Sequence, residues 1–250
     1  MLDKNKRIDA ELKEIIKNFY NSGEILVKGD RNLIKVFSYQ GKSIAVKSFK
    51  KPSLLNAFIY KFLRDSKAKR SYLNGIFLDS KNIGTPKPIA FYENFSFFGL
   101  KESFYVCENL QYDFMFRKVF EGMETNNQEK VLRAITNFTF EMHENGILFL
   151  DHSPGNTLIK IDNKGHYKCF LIDLNRMTFK QNLTLRSRIK NMNKLTPEVN
   201  MLKIIANEYS KLVCVDEYVV RELLYNETKK FYEMFTKKQE LKKKLFFWKK

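Results

Sequence analysis

The chain has 250 residues, 44% hydrophobic and 14% aromatic, enough apolar material for a sizeable core and too much for global disorder. It contains no apolar run of about eighteen residues, which excludes a spanning helix. Its formal net charge of +17 points to an anionic partner: nucleic acid, an acidic membrane surface or a phosphorylated substrate. The opening residues Met1 to Arg7 precede no apolar stretch of the signal-peptide kind, so a cytoplasmic location is expected. Cys107, Cys169 and Cys214 are far apart, odd in number and set among apolar residues. Buried free thiols are expected there, rather than a disulfide or a zinc site.

In chain order, the N-terminal third reads as strands. Glu24 to Lys28, Leu33 to Tyr39 and Ile44 to Phe49 are rich in β-formers, and the breaks between them, Gly29-Asp30-Arg31-Asn32 and Gln40-Gly41-Lys42, are short. An antiparallel meander follows. Pro52-Ser53 opens a helix to about Arg64, with Ser53 as N-cap, and a second helix runs from about Lys67 to Lys81. Gly84 and Pro86 oppose its continuation. Ile89 to Glu93 and Ser103 to Glu108 complete a five-stranded sheet.

Beyond Glu108 the pattern turns helical. Val131, Leu132, Ile135, Phe138 and Met142 recur at helical spacing, and Asn145-Gly146 closes that helix. A hairpin is expected from Asn156 to Ile161 and Lys168 to Ile172. Thr196-Pro197-Glu198 reads as a helix start, with Thr196 as N-cap, and helix is expected onward to Lys244. The fold class is α+β, bilobal: a nucleotide-binding lobe over 1–108 and a mainly helical catalytic lobe over 109–250. The segment 237–250 mixes lysines with Leu245-Phe246-Phe247-Trp248, a composition suited to a peripheral anchor on an anionic membrane.

Chemistry concentrates in Leu150-Asp151-His152-Ser153-Pro154-Gly155-Asn156, between a helix end and the hairpin. An aspartate and an asparagine on one constrained loop can aim a carboxylate at a substrate hydroxyl and an amide oxygen at Mg²⁺. The hairpin returns the chain to Asp173, which can chelate the same metal cluster. Phosphoryl transfer needs this set of groups. Upstream, Ala45-Val46-Lys47 matches the Val-Ala-Ile-Lys type of kinase signature, whose lysine binds nucleotide phosphates.

Together these stretches resemble the bacterial lipopolysaccharide kinase family, whose members phosphorylate Kdo or heptose of the inner core on a protein-kinase-like fold. The resemblance rests on Ile44 to Phe49, on Ser66-Lys67-Ala68-Lys69-Arg70-Ser71-Tyr72 with Gly84-Thr85-Pro86-Lys87-Pro88-Ile89-Ala90, on Asp151 to Asn156, and on Leu171 to Arg176. It implies Asp151 as the base for the sugar hydroxyl, Asn156 and Asp173 as Mg²⁺ ligands, and Lys47 on ATP phosphates. Glu108, Asn109 and Leu110 match the hinge that supports adenine. Gly29, Arg31 and Asn32 fall where the phosphate-covering loop belongs, without a Gly-x-Gly-x-x-Gly pattern. The implied partners are a lipid A-core glycolipid and the anionic inner-membrane surface, not nucleic acid.

Two departures stand out. No Ala-Pro-Glu segment follows Asp173-Leu174-Asn175, which favours a small or lipid-linked substrate over a protein. The glutamate that pairs with the strand lysine in such kinases is also missing: after Tyr72 this chain has Leu73-Asn74, with Asp65 and Asp79 as imperfect substitutes. Either another acid rebuilds the pair, or Lys47 works alone, or the chain is impaired as a kinase. The competing readings are a pseudokinase or basic anion-binding module, and a small-molecule phosphotransferase of the aminoglycoside or choline type.

Overall fold

A computed structural model describes residues 8–247. The chain groups into two compact units: residues 1–111 with 171–176, and residues 112–170 with 177–250. The sequence boundary at 108/109 thus compares with a grouping at 111/112, and a short later segment joins the first unit.

The first unit opens with helix α1 (Ala10–Lys17), ahead of the first strand expected from the sequence. Asp9 caps it by accepting the Leu12 N–H at 2.9 Å. Leu12 and Ile16, four residues apart, face the same way and are buried with Phe19 against Ile44, Val46, Phe104 and Val106. That apolar face holds α1 on the sheet.

Strands β1 (Glu24–Lys28), β2 (Asn32–Tyr39) and β3 (Lys42–Phe49) form the expected meander. Helix α2 (Leu54–Phe62) follows Ser53, and α3 (Lys67–Ser80) is capped by the Ser66 hydroxyl, which accepts the Lys69 N–H at 3.1 Å. Strands β4 (Pro88–Ser96) and β5 (Gly99–Glu108) complete the antiparallel sheet in the order β1-β2-β3-β5-β4. Helix α3 lies close on this sheet because it carries Gly75: a Cβ there would stand 3.2 Å from both Pro88 and the Tyr105 hydroxyl.

The second unit begins with the short strand β6 (Phe114–Met115) and a 3-10 turn over Phe116–Phe120. Helix α4 (Thr125–Glu144) buries Val131, Leu132, Ile135, Phe138 and Met142, the residues its periodicity singles out. After β7 (Ile147–Phe149) comes a 3-10 turn over Pro154–Asn156, then the hairpin strands β8 (Thr157–Ile161) and β9 (Tyr167–Leu171). Strand β10 (Met177–Phe179) pairs with β7, and β6-β8-β9 form a second small sheet. Helices α5 (Leu185–Asn191), α6 (Val199–Val213) and α7 (Glu217–Phe247) complete the unit.

Three sequence expectations need correction. Thr196 is not the N-cap: its Oγ1 accepts the Glu198 N–H at 3.0 Å in a turn before the helix, and Glu198 takes the cap position. The helix expected from Glu198 to Lys244 breaks at Cys214, which adopts φ 52°, and Asp216 restarts it by accepting the Tyr218 N–H at 2.9 Å. All three cysteines are free, yet only Cys169 is fully buried; Cys107 is half-buried, and Cys214 is exposed at the helix break.

Candidate active site

In the first unit, β3 carries Lys47 inward and its Nζ meets Asp173 Oδ1 at 2.6 Å. Asp173 sits at φ 60° in the left-handed region, where a non-glycine residue is uncommon. Hydrogen bonds from α3 fix the residues that follow it. Arg70 donates to the Asn175 carbonyl at 2.7 Å and Asn74 to the Leu174 carbonyl at 2.6 Å. The Asn175 amide in turn donates to Asp173 Oδ1 at 2.8 Å. Before Asp173, the Leu171 N–H reaches the Gly84 carbonyl at 2.9 Å, and the Thr85 hydroxyl donates to the Leu171 carbonyl at 2.9 Å. The Gly84-Thr85 stretch therefore anchors one side of Asp173 and α3 the other.

These bonds identify the groups around Lys47 and Asp173. Asn74, near which a glutamate is expected, holds the backbone beside Asp173 instead. Asp65 pairs with Lys69 at 2.7 Å. The acid that meets Lys47 is Asp173 itself. The surroundings are cationic: burial lowers the pKa of Lys67, Arg31, Arg70 and Lys47 lower it further, and Asp173 opposes them.

The sequence-predicted phosphate loop is a tight β1–β2 turn in which the Gly29 N–H bonds the Asn32 carbonyl at 3.0 Å. The Arg31 carbonyl accepts the Lys50 N–H at 2.9 Å, and Arg31 is exposed. The Asn32 side-chain oxygen is buried with no hydrogen-bond partner among the described residues. At the end of β5, Glu108, Asn109 and Leu110 are half-buried, and the Asn109 N–H bonds the Ser43 carbonyl at 3.1 Å.

In the second unit, the loop after β7 brings Asp151 and Asn156 together. The Asn156 amide nitrogen donates to the Asp151 carbonyl at 2.9 Å, which leaves its amide oxygen to face elsewhere. Lys194, between α5 and α6, places Nζ 3.5 Å from Asp151 Oδ1 and also donates to the Leu150 carbonyl. Beneath the loop lies a buried polar relay. Tyr209 OH bonds His143 Nδ1 at 2.7 Å, His143 Nε2 meets Asn191 Oδ1 at 3.2 Å, and Asn191 donates to the Phe149 carbonyl at 2.7 Å. Asn191 Oδ1 can only accept, so His143 carries its proton on Nε2 and Tyr209 donates to Nδ1.

His152, next to Asp151, is fully buried. Its Nε2 lies 2.8 Å from Thr139 Oγ1, whose own proton goes to the Ile135 carbonyl at 2.6 Å. His152 Nε2 is therefore the donor, and its Nδ1 has no partner among the described residues. Burial pushes the pKa of His143 down to about 4 and that of His152 down to about 3.

The first unit thus joins Lys47 to Asp173, and the second joins Asp151 to Asn156. Lys194, Arg70 and Asn74 are additions that sequence reasoning did not assign. Asn74 stands near the position where an acid was sought.

A sequence model of the lipopolysaccharide kinase (Kdo/WaaP) family matches residues 59–215, more than half of the chain. The chain belongs to this family. The match includes α3, Asp151, Asn156 and Asp173, and it starts after Lys47. Among solved structures, "WaaP in complex with acyl carrier protein" is similar with a TM-score of 0.58, covering 88% of this chain and 92% of that one. At 16% identity this likeness shows the shared fold alone. No curated protein matches the chain.

Proposed function

We propose that this family member is an ATP- and Mg²⁺-dependent kinase that phosphorylates a Kdo or heptose hydroxyl of the lipopolysaccharide inner core at the cytoplasmic membrane face. The Lys47–Asp173 contact at 2.6 Å carries the reading. A strand lysine and the aspartate of an Asp-Leu-Asn turn are the two groups that phosphoryl transfer assigns to nucleotide phosphates and to the metal. In this contact each charge neutralises the other.

The donor set suits Mg²⁺. Each unit offers a hard oxygen ligand, Asp173 in the first and Asn156 in the second. Magnesium is commonly held by one or two carboxylates, substrate phosphates and water, so a sparse protein contribution fits it. When bound, Mg·ATP supplies the phosphoryl group and offsets its charge. Lys47 would then hold the phosphates, and Asp151 would orient the acceptor hydroxyl and take its proton.

Attachment to an anionic membrane fits the lysine-rich end of α7, where Leu241 and Leu245 are exposed. The Phe246, Phe247 and Trp248 side chains of the expected anchor lie outside the described residues. A second reading, anion binding without turnover, is favoured by Asn74 in place of an acid. Transfer of the γ-phosphate from ATP to purified lipid A-core acceptors, with Asp151→Asn as control, separates the two: catalysis requires Asp151-dependent label in the glycolipid.

A further inference from the structure

Helix α2 is inverted relative to an ordinary surface helix. Ala57 is its buried residue, while Leu54, Leu55, Phe58 and Phe62, followed by Leu63, are 51% to 82% exposed. The β4–β5 turn adds Phe97 and Phe98, at 87% and 72% exposed. Helix and turn are fastened together. Lys61 donates to the Ser96 and Phe97 carbonyls at 3.2 and 2.9 Å. At Gly99, with φ 143°, a Cβ would fall 2.4 Å from the Ala57 backbone, so no side chain separates the two elements. The result is one rigid apolar ridge of a kind that proteins in water seldom leave open.

The charge pattern identifies what covers it. From Lys50 to Arg64 there are four cations and no acid. Beside α2 lies a cavity of about 230 Å³ whose lining includes Arg31, Lys50, Lys51, Lys67, Ser53 and Asn56, and no acid. None of those cations has an ion-pair partner among the described residues. Ser53 makes no capping bond with its side chain, so first-turn amides of α2 remain for an anion. Exposed Leu and Phe bordered by lysines and an acid-free phosphate-sized cavity are the two halves of an interfacial lipid site. A second copy of this chain is a poor occupant, because a twofold contact would set these cations against themselves.

We infer that the α2 and β4–β5 ridge inserts into an anionic bilayer and that the adjoining basic cavity takes a lipid headgroup phosphate. The ridge is separate from the α7 end, whereas the cavity shares Arg31 and Lys67 with the surroundings of Lys47 and Asp173, so the test reads vesicle binding and not turnover.

The test is flotation of the full chain with phosphatidylcholine vesicles, with and without phosphatidic acid, compared with Leu54→Ser/Phe97→Ser and Lys50→Ala/Lys51→Ala. All four positions are exposed, so the melting temperature serves as a folding control. The ridge variant should lose about tenfold or more in partitioning. The lysine variant should lose a similar factor on phosphatidic acid and little on phosphatidylcholine. In a Trp248→Phe background, Phe97→Trp should shift to the blue and be quenched by brominated acyl chains. Wild-type retention by the ridge variant, no quenching at residue 97, or no binding of wild type to phosphatidic acid overturns the inference. Concentration-dependent self-association that the ridge variant abolishes, without vesicle binding, overturns it in favour of a dimer.

Discussion

Lys47 and Asp173 are 126 residues apart in sequence, yet their charges meet at 2.6 Å inside the first unit. The lysine side chain is 13% exposed and the carboxylate 32%, so the pair is only partly screened by water. Arg70 and Asn74 on α3 grip the carbonyls of the two residues after Asp173 and support its left-handed backbone. With the acid of the pair placed on this turn, one carboxylate both balances Lys47 and can serve the metal.

Asp173→Ala should therefore remove two properties together. The rise in melting temperature given by Mg·ATP should vanish, and the apo protein should lose about 1–3 kcal/mol because Lys47 keeps a half-buried charge without its partner. Differential scanning fluorimetry with and without Mg·ATP measures both. An undiminished nucleotide shift would take Asp173 out of the metal site.

Asp151→Asn keeps the shape of the loop and removes the base. Turnover should fall by a factor of about 10²–10⁴, the usual span for general-base catalysis, while ADP binding stays within about twofold. Single-turnover transfer and ADP titration give the two numbers. Activity near wild type would reject the role of Asp151.

Local chemistry was legible in the sequence, and distant chemistry was not. The Asp151 to Asn156 loop, the β1–β3 meander and the α4 periodicity are each encoded within a few residues, so pattern reading places them. The partner of Lys47 depends on a contact across more than a hundred residues, and a search for the acid near Tyr72 could not reach it. Lys194 carries no motif and meets Asp151 only because α5 and the turn after it return to the loop. Helix α1 did offer a signal, Asp9 before Leu12 and Ile16 at helical spacing, but the segment is short and strand-rich sequence follows it. At Thr196 the cap expectation failed because the hydroxyl serves a turn two residues before Glu198, which takes the cap position.

Lys194→Met tests whether positioning of the Asp151 loop matters. It removes the cation 3.5 Å from Asp151 and the donor to the Leu150 carbonyl while keeping a side chain of similar length. A misplaced base is expected to lower kcat about 10- to 100-fold with little change in the KM for ATP. Lys194→Arg should recover part of the loss. A change in KM alone would assign Lys194 to ligand binding instead.

The buried histidines set an acid limit on stability. His143 and His152 are neutral in the fold, with pKa values lowered from 6.5 to about 4 and about 3, chiefly by burial. Unfolded, both imidazoles regain a pKa near 6.5, so below that pH the unfolded chain takes up protons that the folded chain refuses. Their contribution is complete above about pH 6.5 and declines as the pH falls toward 4. For His143 the difference corresponds to about 3 kcal/mol once fully expressed. Urea denaturation at pH 7.5, 6 and 5 should show a midpoint that falls steadily with little change in slope. In His143→Gln the amide can accept from Tyr209 or donate to Asn191 without titrating, so the pH dependence should flatten even if the overall midpoint drops. An equally steep decline in that variant would place the acid sensitivity outside the Tyr209–His143–Asn191 relay.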